Sequence, residues 1–196
     1  MLSCSGASGV DVKSGGFLAA VLMMLGAGAV GCAAKQPKVV EVRAAATQPA
    51  RGKVPEFQGP YRFLSNFYPA EVEFEGMRYP SVEHAYQAAK TLDLGERRRI
   101  AGLATAAEAK SEGRKLQLRP NWETLKFEVM EQCVRYKFTH NPQLKQMLLD
   151  TGDAVLEEGN SWQDRVWGIY QGEGENRLGK ILMKVRGEIR SERLKD

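Results

Sequence analysis

Cysteine and histidine are scarce in this chain. It has three cysteines and two histidines among 196 residues, and Cys133 is the only cysteine after residue 32. This excludes an intradomain disulfide and a CxxC metal site, and the two histidines show no HExxH or other ligand spacing. The fold must therefore rest on its hydrophobic core, and neither a metal nor another cofactor is expected.

An excess of charge of one sign is missing from the larger part of the chain. The formal net charge is +4, but residues 55–196 carry 22 basic and 22 acidic side chains, so the excess lies in the first 54 residues. With 43% apolar and 27% charged residues, the composition is typical of a globular protein that buries a core. A phosphate group must be bound by a local cluster of cations, and nucleic-acid binding through a broad basic face is not favoured.

Long hydrophobic runs are also missing, since the longest uncharged apolar run covers only residues 17–30. That length is too short to span a bilayer of about 30 Å and fits the apolar region of a signal peptide. The following Gly31-Cys32 resembles a lipobox, which predicts a lipoprotein signal over 1–32 with Cys32 lipidated. A cleaved non-lipid signal and a mistaken upstream start are the alternatives. A lipoprotein or exported location is expected, or a cytoplasmic one if the start is mistaken.

Residues 33–54 show no sustained periodicity and predict a flexible tether. The domain is then expected at 55–196. Within it, residues 70–79 alternate apolar and acidic side chains around Glu75-Gly76, which predicts a β-hairpin. Helix starts are predicted at residues with capping or first-turn signals: Ser81, Thr105, Asn121, Pro142 and Asn176. Short strands are predicted at 155–156 and 166–170. The pattern indicates a mainly helical α+β domain with a few short strands.

Single reactive residues do not stand out in the domain. Cys133 lies on an apolar helical stripe, which favours a buried structural thiol over a nucleophile. His84 is expected to be structural. The glycines at 172 and 174 do not follow a strand in the manner of a dinucleotide-binding fingerprint.

Aromatic and polar residues concentrate instead in three segments without core periodicity, namely 62–69, 161–168 and 174–179. Aromatic side chains beside Asn, Asp and Gly in loops can stack on a flat ring and hydrogen-bond its edge. The alternative is that Phe67, Trp162 and Trp167 anchor the core and that the loops are ordinary turns. The pattern alone leaves both interpretations open.

Several segments in one order carry a resemblance to a known family. They are FLSNFYP at 63–69, EHAYQAAK at 83–90, Lys110 with Gly113-Arg114, Trp122, Lys137-Phe138, 148–152, Trp167-Gly168 and GENRLGKILM at 174–183. This set resembles the NADAR family, also called YbiA-like, over about residues 57–190. The resemblance implies a mainly helical fold and action on N-glycosidic bonds to ribose. Members hydrolyse early riboflavin-pathway intermediates or remove ADP-ribose from nucleobases.

The resemblance also implies a set of site residues. Cleaving a ribosyl C–N bond builds positive charge on the ribose, so the site needs a nearby anion, a base for water and a way to neutralise the departing nitrogen. Glu83 matches the family's Glu in the EHxxQxxK segment, and Asp164 corresponds to the Asp before the Trp-Gly pair. These two are predicted as the catalytic pair, with Glu83 closer to ribose or water and the acid and base roles left open.

Substrate-binding roles follow for residues of the same motifs. Trp122 and Trp167 are expected to stack on the base, and Asn66 and Asn176 to meet its polar edge or the ribose hydroxyls. Arg62 or Lys90 is expected to bind a phosphate. The predicted binding set is Arg62, Ser65, Asn66, Phe67, Lys90, Trp122, Trp167, Gly168 and Asn176.

The predicted function is a metal-independent N-glycosidase that hydrolyses the C–N bond between ribose, or ribose phosphate, and a nitrogen base or amine. Its expected partner is a small ribosylated base or an ADP-ribose derivative, and membrane contact would come from the lipid anchor. One alternative is an antitoxin-like hydrolase of ADP-ribosyl-guanine. Another is a noncatalytic sensor of ADP-ribose or a nucleotide.

Overall fold

The computed structural model describes residues 52–195. The predicted signal peptide, its lipidation site Cys32 and the tether up to residue 51 lie outside the described residues. Of the helices that the structure describes, none combines the length and the apolar composition needed to cross a bilayer.

Six α-helices and one 3₁₀ helix make up most of residues 52–195. The 3₁₀ helix is Gly59–Leu64, and the α-helices are α1 Val82–Ala88, α2 Leu94–Ala101, α3 Ala106–Gly113, α4 Trp122–Thr139, α5 Pro142–Asp150 and α6 Arg177–Arg193. The Ser81 side chain caps α1, and Thr105 with Glu108 forms the capping box of α3. Both signals were read from the sequence, since side-chain acceptors satisfy the first free backbone N–H groups of a helix.

Four short strands pair two by two. Strands β2 Val72–Phe74 and β3 Met77–Tyr79 form the antiparallel hairpin that the alternation at 70–79 predicts. Strand β1 Lys53–Val54 pairs in parallel with β4 Val155–Leu156. The mainly helical fold with a few short strands is thus confirmed.

Two sequence expectations were wrong in detail. The tether was expected to reach residue 54, but Val54 is 1% exposed and pairs with Leu156, so the folded region begins before Pro55. A strand was expected at 166–170, but only isolated bridges form there, between Gly159 and Ile169 and between Tyr170 and Glu173. The first error concerns the pairing of Val54 with Leu156 across a long sequence separation, which local patterns do not encode. The second concerns a turn in which the Asp164 side chain accepts the backbone N–H groups of Val166 and Trp167.

Removing β1 should destabilise the domain. In a chain shortened to begin at Pro55, Leu156 loses the cover of Val54, and burying a Val side chain contributes about 1.5–3 kcal/mol. We expect its melting temperature to lie roughly 5–10 °C below that of a chain beginning at Gly52, measured by circular dichroism. Equal melting temperatures would show that β1 adds nothing to stability.

Helix α1 lies at the centre of the domain, where it contacts α2, α3, α4 and both strands of the hairpin. All seven of its residues are buried. His84 is structural, as expected: its Nδ1 lies 2.7 Å from Ser81 Oγ and its Nε2 3.3 Å from the Leu103 carbonyl oxygen. Cys133 of α4 is fully buried, and burial raises the pKa of its thiol to about 12. Neither residue is available for surface chemistry.

Candidate active site

A cavity of about 220 Å³ opens beside α1, and we call it the central pocket. It combines three carboxylates, three cations and several aromatic rings. Its lining residues are Ser65, Asn66, Phe67, Glu83, Tyr86, Gln87, Lys90, Lys110, Arg114, Met130, Glu158, Trp162, Asp164, Trp167 and Leu178. Segments separated by up to 113 positions in the sequence therefore meet at one place.

Glu83 lies in the first turn of α1 and is 5% exposed. Its Oε1 accepts a hydrogen bond from Gln87 Nε2, one turn later, at 2.7 Å. Burial raises the pKa of Glu83, while this hydrogen bond and the charges of Lys110 and Lys90 act in the opposite direction. A carboxylate that is shielded from solvent can act as a base toward a single bound water molecule or stabilise a developing cation.

The loop that presents Ser65, Asn66 and Phe67 is fixed from below by Lys137. The Lys137 ammonium is completely buried in α4 and donates to the carbonyl oxygens of Phe63, at 2.6 Å, and Ser65, at 2.9 Å. Burial lowers the pKa of Lys137 to about 7. The backbone N–H of Glu83 donates to the Asn66 carbonyl oxygen at 3.1 Å, which joins the loop to α1.

Asp164 lines the same pocket as Glu83, so the structure brings the predicted pair together. Its Oδ1 accepts two backbone hydrogen bonds, from Val166 at 3.0 Å and Trp167 at 2.8 Å. Asn160 closes the turn, because its Nδ2 donates to the Asp164 carbonyl oxygen at 2.7 Å. One oxygen of Asp164 is therefore committed to shaping the loop, and its catalytic role remains a prediction.

Three polar atoms in the central pocket lack a partner. Within residues 52–195, four buried side-chain N or O atoms make no hydrogen bond, and three of them are acceptors of residues that line this pocket: Asn66 Oδ1, Gln87 Oε1 and Glu158 Oε2. Burying such an atom unpaired costs about 1–3 kcal/mol. Gln87 Nε2 already donates to Glu83, and Gln87 Oε1 packs against Gly113, where a Cβ atom would lie 2.1 Å from it. The pocket is thus suited to a ligand that carries O–H or N–H donors.

Three cations also line the pocket. Lys90, Lys110 and Arg114 line it, and Lys110 and Arg114 also line an adjoining cavity of about 380 Å³, the outer pocket. Arg62 lines the outer pocket and is absent from the central one. Of the two predicted phosphate ligands, Lys90 therefore faces the central pocket and Arg62 the outer one.

The aromatic residues are distributed differently from the prediction. Trp122 is 5% exposed, packs against Tyr86 with ring centroids 5.3 Å apart, and is absent from the pocket lining. Trp122 therefore supports the lining residue Tyr86 and does not contact the pocket, which is inconsistent with the predicted stacking on a base. Trp167 lines the pocket but is held against Tyr86 and Phe127. Trp162, which belongs to the aromatic segment 161–168 but was not included in the predicted binding set, is 52% exposed and lines both pockets, so it is not a core anchor.

Asn176 and Gly168 were also predicted to bind substrate, and both lie behind the wall. Asn176 Oδ1 accepts the backbone N–H of Glu158 at 3.1 Å, and its Nδ2 donates to the Leu156 carbonyl oxygen at 2.8 Å. Gly168 packs so closely on Glu158 that a Cβ atom would lie 2.1 Å from the Glu158 carbonyl oxygen. Both residues position the backbone of Glu158 and do not reach the pocket.

Replacing Asn176 should therefore weaken the fold more than a typical surface change. In Asn176→Ala the buried N–H of Glu158 and C=O of Leu156 lose their partner, which costs about 1–3 kcal/mol for each buried unpaired group. We expect urea unfolding to show a loss in that range. A matched change of the half-buried Asn141, whose side chain bonds only the Lys137 carbonyl oxygen, should cost less; equal costs would contradict this role for Asn176.

Three residues of the pocket lie in motifs of the resemblance but were not included in the predicted site. Gln87, Lys110 and Arg114 belong to the motifs that carry the resemblance, but no role was predicted for them. Glu158 had no motif signal; it lies just after β4, at a strand end where polar side chains often reach a site. In the part of the chain that the structure describes, no three His, Cys, Asp or Glu side chains are grouped to hold a metal ion.

The class of protein follows from comparison with solved structures. The NMR structure of Escherichia coli YbiA superposes with a TM-score of 0.65 at 32% sequence identity, covering 77% of this chain and 96% of that chain. The domain therefore has the YbiA-like fold. Residues 55–190 match the NADAR domain family, and the chain belongs to this family. The resemblance read from the sequence is confirmed, while the predicted lipoprotein signal lies outside the matched region and stays a prediction.

Named relatives agree with this assignment. The N-glycosidase YbiA of Escherichia coli is 36% identical over 136 residues, which cover 68% of this chain and 84% of that protein. An N-glycosidase of Nostoc punctiforme is 39% identical over 138 residues, covering 67% and 88%. A riboflavin biosynthesis protein of Vibrio vulnificus is 42% identical over 130 residues, covering 65% of this chain but only 35% of that protein.

Proposed function

We propose that this protein is an N-glycosidase that hydrolyses the C–N bond between ribose phosphate and a nitrogen base or amine, as in early riboflavin-pathway intermediates. The names of its relatives support the chemistry and the pathway. The observation that carries the proposal is the meeting of the buried Glu83 with unpaired acceptors and cations in one pocket.

Each part of the pocket fits one part of such a substrate. The unpaired oxygen of Asn66 can accept a hydrogen bond from a ribose hydroxyl or from an amino group of the base. Lys90, Lys110 and Arg114 can bind the phosphate, because a cation cluster is needed where the domain is neutral overall. Trp162 offers an exposed ring on which a base can stack.

Glu83 is the carboxylate best placed to support bond cleavage. As the C–N bond lengthens, the ribose ring becomes positively charged, and a buried anion stabilises that charge more strongly than water does. The same carboxylate can take a proton from the water that attacks the anomeric carbon. Asp164 adds a second negative charge at the pocket wall and shapes the loop that carries Trp167.

The outer pocket favours one second candidate, a hydrolase of ADP-ribosyl-guanine. Its volume of about 380 Å³ and its lining by Arg62, Lys110 and Arg114 would accommodate a second phosphate and a nucleoside. The balanced charge of residues 55–196 disfavours tight duplex binding, which depends on phosphate neutralisation. A noncatalytic sensor would use the same pocket without turnover, and a lipid anchor at Cys32 would place either activity at a membrane.

A substrate panel tests these choices. The purified protein would be incubated with a ribosylaminopyrimidine 5′-phosphate, NAD, ADP-ribose and ADP-ribosylated guanine, with released sugar detected by mass spectrometry. We expect release from the ribosylaminopyrimidine phosphate, unchanged by EDTA. Release only from ADP-ribosylated guanine would support the second candidate, and tight binding without release would support the sensor.

A further inference from the structure

Glu158 is the carboxylate of the central pocket for which neither the sequence nor the relatives suggest a role. It lines both the central and the outer pocket, at their junction. Its Oε2 is buried and makes no hydrogen bond. The two other carboxylates of the pocket are engaged, Glu83 by Gln87 and Asp164 by two backbone N–H groups. Glu158 differs from the other two carboxylates in having a buried oxygen without a hydrogen-bond partner.

The backbone of Glu158 is held on several sides, which fixes the origin of its side chain. Its N–H donates to Asn176 Oδ1 at 3.1 Å, and its carbonyl oxygen accepts the N–H of Ile169 at 2.8 Å. Gly168 packs against the same carbonyl so closely that no side chain fits there. Groups that must transfer a proton work best when they are positioned in advance in this way.

From this geometry we propose that Glu158 is the acid that protonates the departing nitrogen, while Glu83 receives the proton of the attacking water. This rests on the proposed N-glycosidase function. The C–N bonding pair moves to the nitrogen, which takes the proton of the Glu158 carboxyl group. The water oxygen bonds to the anomeric carbon and releases a proton to Glu83. Exchange with solvent then restores the protonated Glu158 and the ionised Glu83.

The electrostatic surroundings keep Glu158 suited to this role near neutral pH. Burial raises the pKa of Glu158 to about 7, and the negative charges of Asp164 and Glu83 add to this rise, while Arg62 and Lys110 oppose it. Lys137 also interacts with its charge from α4, and Lys90 and Arg114 complete the charged lining. The charge of Asp164 thus helps to keep the Glu158 carboxyl group protonated.

Leaving-group dependence tests the proposal. One substrate is a ribosylaminopyrimidine 5′-phosphate, whose amine must be protonated to leave. The other is 4-nitrophenyl β-D-ribofuranoside 5-phosphate, whose phenolate leaves without a proton. Glu158→Gln preserves shape, and we expect it to lower kcat on the amine substrate by about 10²–10⁴-fold and on the nitrophenyl substrate by less than about tenfold. Glu83→Gln should lose turnover on both substrates.

The pH profile gives a second readout. An acid must be protonated, so kcat/KM of the wild type on the amine substrate should fall as the pH rises above about 7, and this basic limb should disappear in Glu158→Gln. The matched control is Glu157→Gln, since Glu157 pairs with Lys53 and lines neither pocket. It should keep wild-type rates on both substrates. Melting temperatures would show that each variant is folded.

The possible outcomes separate the two proposals. Wild-type protein that cleaves neither substrate would refute the N-glycosidase function itself. Active wild type with equal losses on both substrates in Glu158→Gln, or with full activity of that variant on the amine substrate, would overturn the role of Glu158 alone. Glu158→Asp gives an independent check, because the shortened acid should recover part of the lost rate on the amine substrate.

Discussion

Glu83→Gln should remove turnover while leaving the protein folded and able to bind. The change deletes the negative charge but keeps the size of the side chain, and the new amide oxygen can still accept from Gln87 Nε2. Losing both the stabilising anion and the base should lower kcat by at least about 10³-fold. Single-turnover product release measures this loss, while calorimetric titration with a nonhydrolysable substrate analogue should show nearly unchanged affinity.

A matched control separates this effect from a general loss of carboxylates. Glu73 is exposed on β2 and is absent from the pocket lining, so Glu73→Gln should retain the wild-type rate. The acid limb of the wild-type pH profile should lie above the usual range of a glutamate, because burial raises the pKa of Glu83. Its ionised form is the active one, so activity falls as the pH decreases through that limb. Full activity of Glu83→Gln would remove Glu83 from the mechanism.

Gly168→Ala should damage both stability and activity. The added Cβ would lie 2.1 Å from the Glu158 carbonyl oxygen and 2.8 Å from Asn160 Nδ2. Because the first of these is a backbone atom, Glu158 or the loop of Asp164 must move. We expect a destabilisation of about 1–3 kcal/mol in urea unfolding and a loss of kcat on the order of 10²-fold from the displaced carboxyl groups.

Gly187→Ala is the control for Gly168→Ala. Gly187 lies in α6, where a Cβ would meet nothing within 4 Å. Alanine favours a helix over glycine by about 1 kcal/mol, so this variant should be more stable than the wild type and equally active. If Gly168→Ala behaved like Gly187→Ala, the close packing on Glu158 would have no functional meaning.

Local sequence patterns predicted those parts of the fold that depend on neighbouring residues. The caps at Ser81 and Thr105 and the hairpin of β2 and β3 follow from capping chemistry and alternation, both of which act over a few positions. The parallel pairing of β1 with β4 was missed, because it joins Val54 to Leu156 across a long sequence separation. The segment 166–170 was predicted as a strand from its apolar residues. In the structure the Asp164 side chain accepts the backbone N–H groups of Val166 and Trp167 and holds the segment in a turn.

Local motifs also predicted part of the candidate site. Glu83, Asn66 and Lys90 belong to compact motifs, and the structure places them in one pocket. Which tryptophan faces a ligand depends on tertiary packing. Trp122 was therefore chosen although it packs against Tyr86, and Trp162 was left out of the binding set although its segment was noted. Asn176 belongs to a motif of the resemblance, yet in the structure it holds the backbone of Glu158. A motif alone does not separate a supporting residue from one that contacts substrate.

The most direct test of the central claim is a time course of the wild-type protein with a ribosylaminopyrimidine 5′-phosphate, followed by mass spectrometry, beside Glu83→Gln. The pocket geometry predicts equal amounts of ribose 5-phosphate and free amine, released catalytically by the wild type and not by the variant. Binding of the compound by both proteins without any release of sugar would contradict the account.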